Sequence, residues 1–404
     1  MTPMIMQTSN SLPTTADLVI VGGGIVGTAT AFFAARAGLK VAVLERRPAL
    51  STLTTPASTG AFRLQFDNPE EIALVRATVE MFDNFSELTG LTDYNLEIHK
   101  QGYLFCTTEP ATIERQKALV AKQHSWGLTD VEWLTGDEAR ARFPHVAPEV
   151  VGARFRAGDG WLDVRKISLG YALAAQLTGR VSFTVNSDVT GFDLRGGAIG
   201  AVNTTNGSIE TPAAVIAAGP FSSIVGSYAD VKIPLSPVRR QKLVMPDVAE
   251  VPQNAPMTID EETGSHWRPA MRGALALRTV PGVPPGPPLD DVPTSAQFAF
   301  DLLDPASPYS VARISPFWRN VWARGTDHWF LQAGQYAYSP DHRPLLGPTP
   351  VAGLYVNCGY SGHGIMTSGA ASRLVVDTIT GKVAPAGNPF RFDRPILYRE
   401  LDIL

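Results

Sequence analysis

The chain predicts an α/β + β architecture, in which a Rossmann-like nucleotide-binding domain is interleaved with a smaller domain built on a mostly antiparallel sheet. Three observations predict it. A glycine-rich strand–turn–helix–strand unit opens the chain, the pattern then leaves and rejoins that sheet twice, and a second glycine-rich turn before a helix closes it. The length of 404 residues exceeds one ordinary core and fits about two domains.

The opening unit runs from Ala16 to Glu45. Leu18 to Val21 reads as a buried parallel strand, Ile25 to Ala37 as a helix closed by Gly38, and Val41 to Leu44 as a second strand. Gly22, Gly24 and Gly27 form the G-x-G-x-x-G fingerprint. The first glycine makes the tight turn, the second lets backbone N–H groups approach a pyrophosphate, and the third lets helix pack closely on strand. Ile25 and Val26 open the helix, whose positive dipole end suits phosphates. Glu45, at the tip of the second strand, can accept hydrogen bonds from both ribose hydroxyls. The unit predicts a dinucleotide site for NAD or FAD.

After Glu45, a loop rich in Pro, Ser and Thr (46–60) is expected over the middle of the cofactor. Asn68 is a good N-cap, Pro69 suits the first helical position, and Glu70 and Glu71 favour the dipole. Ile72, Val75, Val79 and Phe82 follow at helical spacing, which predicts a core face. Gly102–Thr107 reads as a strand and Glu109–Trp126 as an exposed helix. Val181–Val185, Ala198–Val202 and Ala213–Gly219 look like a return to the nucleotide-binding sheet. A second departure holds the strand-like Lys242–Met245 and Ala274–Leu277. It also holds Pro281–Pro293, whose six prolines and two glycines predict an irregular loop: a lid, a subunit contact or an ordinary surface loop. The expected division is 1–92, 154–225 and 329–404 for the nucleotide-binding domain, with 93–153 and 226–328 for the substrate domain.

Hydrophobic content of 44%, charged content of 18% and a net charge of −4 give no support for nucleic-acid or membrane-surface binding. Cys106 and Cys358 are the only cysteines, too few for a disulfide framework, and they fit a reducing cytoplasm. Met1–Ala16 carries no charged side chain and so lacks the basic region of a secretory signal. No apolar run approaches the ~18–20 residues that cross a bilayer. No metal site is expected.

The last quarter decides between the two dinucleotides. Gly353–Gly364 reads as a strand ending in a glycine-rich turn, and Ile365–Thr380 as the helix it enters. Such a turn stabilises an anion, and a flavin gathers negative charge at its N1 and O2 edge on reduction. NAD makes no matching demand. The cofactor predicted is FAD.

On these motifs, together with Ala217–Pro220, Asp159–Asp163 and Ser339–Pro344, the sequence resembles the FAD-dependent oxidoreductases of the D-amino acid oxidase superfamily. It is most similar to the branch of sarcosine oxidases, dimethylglycine dehydrogenases and proline dehydrogenase-type enzymes, over residues 16 to 382. The resemblance implies FAD extended across the first domain with its ring under the second. It also implies oxidation of a substrate carbon–nitrogen bond, with hydride equivalents passing to flavin N5 and hydrolysis of the imine.

Carried onto this chain, the resemblance assigns Glu45 and Arg46 to the adenosine end. Ser58, Thr59 and Gly60 fall beside the flavin, Val189 against adenine, and Ala218 and Gly219 beneath the cofactor. His363, Gly364, Ile365 and Met366 fall at the pyrimidine edge, with the His363 ring packed beneath the turn in preference to acid–base work. Arg63 corresponds to a carboxylate-binding arginine, its alternative being an ion pair with Asp67 or Glu71. Trp267 and Tyr338 are expected as pocket walls.

Three departures shape the reading. Gly334 stands where some sarcosine oxidases attach flavin through cysteine, and residues 46–63 lack the histidine that dimethylglycine dehydrogenases use, so FAD is expected to be non-covalent. Met366 replaces a carboxylate-binding lysine. The oxygen-activating lysine would fall near Ala276, and residues 243–381 contain no lysine. Oxygen is therefore expected to react slowly, and a quinone or flavoprotein is the other acceptor. The reading is FAD-dependent oxidation of a secondary or N-methylated amine or amino acid. The alternatives are a 2-hydroxy-acid dehydrogenase and an electron-transferring or non-catalytic FAD subunit. A second G-x-G-x-x-G motif for NADPH is absent.

Overall fold

Two sheets organise the molecule, and the computed structural model describes residues 5–279, 282–325 and 328–396 of it. The first has six strands in the order Leu345–Pro348, Leu354–Cys358, Ala214–Ile216, Leu18–Val21, Val41–Leu44 and Val181–Thr184. All are parallel to their neighbours except Leu345–Pro348. Leu18–Val21 and Val41–Leu44 are buried at every position, as expected of strands covered on both faces. Helix Ile25–Arg36 packs between helices Val164–Leu177 and Gly364–Ile379, which explains why ten of its twelve residues are buried. It ends as the sequence predicts, with Ala37 as C-cap and Gly38 at φ +94°.

The glycine spacing is steric in origin. A Cβ on Gly27 would lie 1.8 Å from the Gly22 carbonyl oxygen, and one on Gly22, at φ +113°, would lie 2.5 Å from that of Ala217. Helix Pro69–Asp83 also follows its sequence signals. The Asn68 side chain accepts the Glu71 N–H at 2.9 Å, and Ile72, Val75, Val79 and Phe82 are buried.

The second sheet has eight strands in the order Phe330–Tyr338, Ser236–Met245, Gly273–Arg278, Ser265–Ala270, Met257–Asp260, Tyr103–Thr107, Gly152–Arg156 and Glu132–Thr135. Every pairing is antiparallel except that of Met257–Asp260 with Tyr103–Thr107. The expected switch points at 154 and 329 fall within Gly152–Arg156 and just before Phe330–Tyr338 of this sheet, and the next strands of the first sheet begin at Val181 and Leu345.

One expected strand goes elsewhere. Ala198–Thr204 does not join the nucleotide-binding sheet. It pairs antiparallel with Val189–Arg195 and Gly207–Glu210 in a separate three-stranded sheet. The reason lies in its turns: Gly196 and Gly197, both at positive φ, and Asn206-Gly207 commit the chain to tight hairpins.

Residue 281 lies outside the described residues, but the rest of the proline-rich loop is tied down. Gly286 N–H donates to the Pro237 carbonyl at 2.9 Å, and Gln335 bonds both Pro287 and Leu289. Asp290 forms ion pairs with Arg46 and Arg47. The loop straps the large sheet to the residues beside Glu45. Among the described residues no helix is long and apolar enough to cross a membrane, and no cluster of metal-ligating side chains occurs.

Candidate functional site

Between the sheets runs a cavity of about 400 Å³, from Glu45 and Arg46 at one end to Gly364 and Ile365 at the other. Its wall includes Gly22, Gly24, Ile25, Val26, Ser58, Thr59, Val189, Ala218, Gly219 and Gly334. Glu45 is already fixed, accepting the Gly23 and Arg47 N–H groups at 2.9 Å each. Burial pushes its pKa up against those bonds. Each carboxylate oxygen keeps a free lone pair for a ribose hydroxyl. Arg46 lies over the Phe221 ring at 3.8 Å.

Four expected contact residues lie outside the cavity wall. Gly27 serves the helix–strand contact described above. Gly60, at φ +72°, allows close approach to the Leu162 carbonyl, 2.1 Å from where a Cβ would be. Met366 is 6% exposed and belongs to the core around the first helix. His363 caps helix Gly364–Ile379, its ring edge-on to Phe66 at 4.9 Å and its Nδ1 3.6 Å from Glu71.

The cavity wall also favours glycine at two further points. A Cβ at Gly334 would come within 3.0 Å of the Ala57 methyl, a tight contact that asks the neighbouring loop to give by a few tenths of an ångström. At Gly362, φ +100°, it would meet the Tyr336 ring at 2.5 Å. Cys358 reaches the wall from a strand end, but burial pushes its thiol up to about 12.

Arg63 is 3% exposed, 4.7 Å from the Phe66 ring and 5.7 Å from that of Phe105. No ion pair joins it to Asp67 or Glu71, and its guanidinium has no hydrogen-bond partner among the described residues. The segment after it is held by buried Asp159, which accepts Leu64 N–H and Gln65 Nε2, both at 2.9 Å, and pairs with Arg156 at 2.6 Å. That explains the first acid of Asp159–Asp163; the second caps helix Val164–Leu177. Asp341 of the Ser339–Pro344 motif is likewise structural, forming a buried pair with Arg394 at 2.7 Å.

Trp267 is a correction. It is fully buried on the far face of the large sheet, bonded to Ser315 and edge-on to Phe317 and Trp318, and so cannot wall the cavity. Strand alternation sends its neighbours His266 and Arg268 to the near face. Ala276, opposite Trp267, faces the same far core. Tyr338 is buried on the near side and accepts a hydrogen bond from Arg240 at 3.0 Å.

Several near-face residues escaped the sequence reading. Tyr336 lines the cavity, and both it and Tyr103 lie within the electrostatic reach of Arg63. Burial raises both phenols, that of Tyr336 to about 12. Lys242, one residue before the lysine-free stretch, is buried and pushed down to about 7 by desolvation and by Arg268 and Arg165. The available signal was the pair Arg240 and Lys242, two apart and so on one face of the strand Ser236–Met245, running into the apolar Leu243–Met245.

A sheet of parallel strands carrying this fingerprint, a cavity spanning two sheets and a glycine turn at its far end define a dinucleotide-dependent flavoprotein. The family model described as FAD dependent oxidoreductase matches residues 17–378, so the chain belongs to that family and FAD is its cofactor. The chain is 27% identical to human mitochondrial sarcosine dehydrogenase over 379 residues, covering 90% of this chain and 40% of that protein. It therefore spans about two fifths of that relative. It is 25% identical to glycine oxidase of Geobacillus kaustophilus, covering 91% of this chain and 93% of that one. Among solved structures, L-proline dehydrogenase from P. horikoshii superposes with a TM-score of 0.79 at 25% identity, over 92% of this chain and 95% of that one. The cavity wall suits the cofactor: at Gly22 and Gly362 a Cβ would collide with the Ala217 carbonyl and the Tyr336 ring, and Glu45 presents a fixed carboxylate to the cavity.

Proposed function

We propose that the protein oxidises the C–N bond of a secondary or N-methylated amine that carries a carboxylate, such as a sarcosine-, dimethylglycine- or proline-like amino acid. One observation supports this above the others. Arg63 is a buried guanidinium that forms no ion pair with a described residue, the buried Glu261 acting on it only at longer range, and it stands beside the wall residue Tyr336; burying such a charge is costly unless an anion arrives. Names of the similar proteins, sarcosine dehydrogenase, glycine oxidase and proline dehydrogenase, agree with that substrate class.

FAD, when bound, supplies the two-electron acceptor for the C–H bond beside nitrogen. The chain's own residues do the rest. Arg63 grips the carboxylate through parallel hydrogen bonds and fixes which carbon faces the ring. Tyr103 and Tyr336 stay protonated at neutral pH and stand beside it as donors. FAD is held without a covalent bond, since Gly334 offers no thiol and the buried Cys358 thiol stays protonated. Acid precipitation should therefore leave all flavin in the supernatant.

The absence of lysine from 243–381 no longer argues against oxygen as acceptor, because Lys242 places a cation against the loop that walls the cavity. The test of the reaction is an anaerobic screen of amines, amino acids and hydroxy acids. Bleaching of the flavin by N-methyl or cyclic amino acids supports the proposal, and no bleaching by any amine rejects it.

A further inference from the structure

Two buried cations on the large sheet reach across to the main chain of residues 56–59. Lys242 Nζ donates to the Ser58 carbonyl at 2.8 Å and to that of Pro56 at 3.3 Å. Arg268 Nη2 donates to the Thr59 carbonyl, while its Nη1 donates to the Pro269 carbonyl at 2.7 Å. Its guanidinium lies 4.9 Å from the Trp161 ring. Lys242 is 5% exposed and Arg268 7%, and neither meets a carboxylate among the described residues. Desolvation lowers both pKa values, that of Arg268 to about 10. Carbonyl dipoles alone compensate two buried charges poorly.

Ser58 and Thr59 line the cavity, whereas Lys242 and Arg268 do not. No peptide bond among the described residues is cis, and in a trans peptide the N–H points opposite to the carbonyl. With the Ser58 carbonyl turned to Lys242, the Thr59 N–H is turned away from it, and no hydrogen bond to the described residues engages that N–H.

We propose that Lys242 and Arg268 are positioning residues, a two-cation clamp that holds the 56–59 main chain with an N–H donor and a positive field directed at the ring end of bound FAD. The inference rests on the loop 58–60 lying beside the flavin, and not on the identity of the substrate. Reduction adds negative charge to the ring, so a donor and two cations behind one loop favour the reduced cofactor. The clamp acts through the loop, because neither side chain reaches the cavity.

The test is a dye-coupled redox titration of the holoenzyme at pH 6, below the Lys242 pKa of about 7, so that both side chains are cations; it needs no substrate and so fails or succeeds separately from the amine reading. Lys242→Met should disfavour reduction about tenfold, a midpoint about 30 mV more negative for a two-electron couple. Lys242→Arg keeps the charge and should stay near the wild type. Arg268→Met should shift the midpoint in the same direction, and Arg268→Lys less. Unchanged midpoints in both methionine variants overturn the clamp, as does an equal fall in Lys242→Arg. Should Lys242→Met shed its FAD, dissociation constants replace midpoints. The clamp then requires Lys242→Met to bind about tenfold more weakly than Lys242→Arg, and equal constants overturn it.

Discussion

The two ends of the cavity are built by opposite strategies. At the adenosine end, the turn, helix start and carboxylate come from one continuous stretch, Leu18 to Glu45. Each part is a local device: a glycine where a Cβ would collide, a helix N-terminus, an acid at a strand tip. At the substrate end, Arg63, Tyr103, Lys242, Arg268 and Tyr336 come from five separate segments. Strand order and strand alternation bring the last four to one face of the large sheet, and Arg63 faces the two tyrosines from the segment after Ala61–Phe62. Binding a constant cofactor can be written locally, whereas shaping a variable pocket depends on register.

Changes at the two ends should therefore differ in kind, and the largest effect belongs to the substrate end. Arg63→Ala should lower kcat/KM for a carboxylate-bearing amine by about a hundredfold, through both KM and the rate of flavin reduction, because a loosened substrate no longer aims its C–H bond. Arg63→Lys should recover only part, lacking the bidentate fork. FAD affinity should be unchanged in both. Removing a buried cation without a partner should leave the melting temperature level or raise it. A fall in stability together with unchanged kinetics would make Arg63 a structural residue and break the contrast.

Glu45→Ala should act in the reverse way. It removes hydrogen bonds to a charged acceptor worth about 1.5–3 kcal/mol, hence a cofactor bound roughly ten- to hundredfold more weakly, measured by titrating apoprotein. At saturating FAD its flavin reduction rate should match the wild type. Altered kinetics at full occupancy would show that the ends are coupled.

Asp290→Ala sharpens the comparison with the smallest effect. Asp290 straps the proline-rich loop to Arg46 and Arg47, but its side chain is 64% exposed, so solvent screens the pair. FAD affinity should weaken no more than about fivefold, and the difference should shrink as salt is raised. A larger, salt-independent loss would mean that the strap itself forms part of the cofactor site.

The same division governs what could be read from the sequence. The first sheet's leading unit, the capped helix after Asn68 and the closing glycine turn were legible, because each carries its signal within a dozen residues. The Ala198–Val202 strand was misplaced because its apolar pattern suits either sheet, and only the flanking Gly-Gly and Asn-Gly turns commit it to a hairpin. Aromatic content alone suggests Trp267 as a wall, but register decides: one residue along the strand, Arg268 faces the cavity side and Trp267 the opposite core. Lys242 went unnoticed for a related reason. Ala276 points to the far core, and the cation comes from the neighbouring strand.

The central claim is that Arg63 and the flavin together select an amine bearing a carboxylate. The most direct measurement mixes the anaerobic holoenzyme with three matched compounds, an N-methyl amino acid, the hydroxy acid of the same skeleton and the N-methylamine without a carboxylate, and follows loss of flavin absorbance. The account predicts rapid bleaching by the N-methyl amino acid alone, and a rate sharply reduced in Arg63→Ala. Faster bleaching by the hydroxy acid, or equal bleaching by the amine lacking a carboxylate, would contradict it.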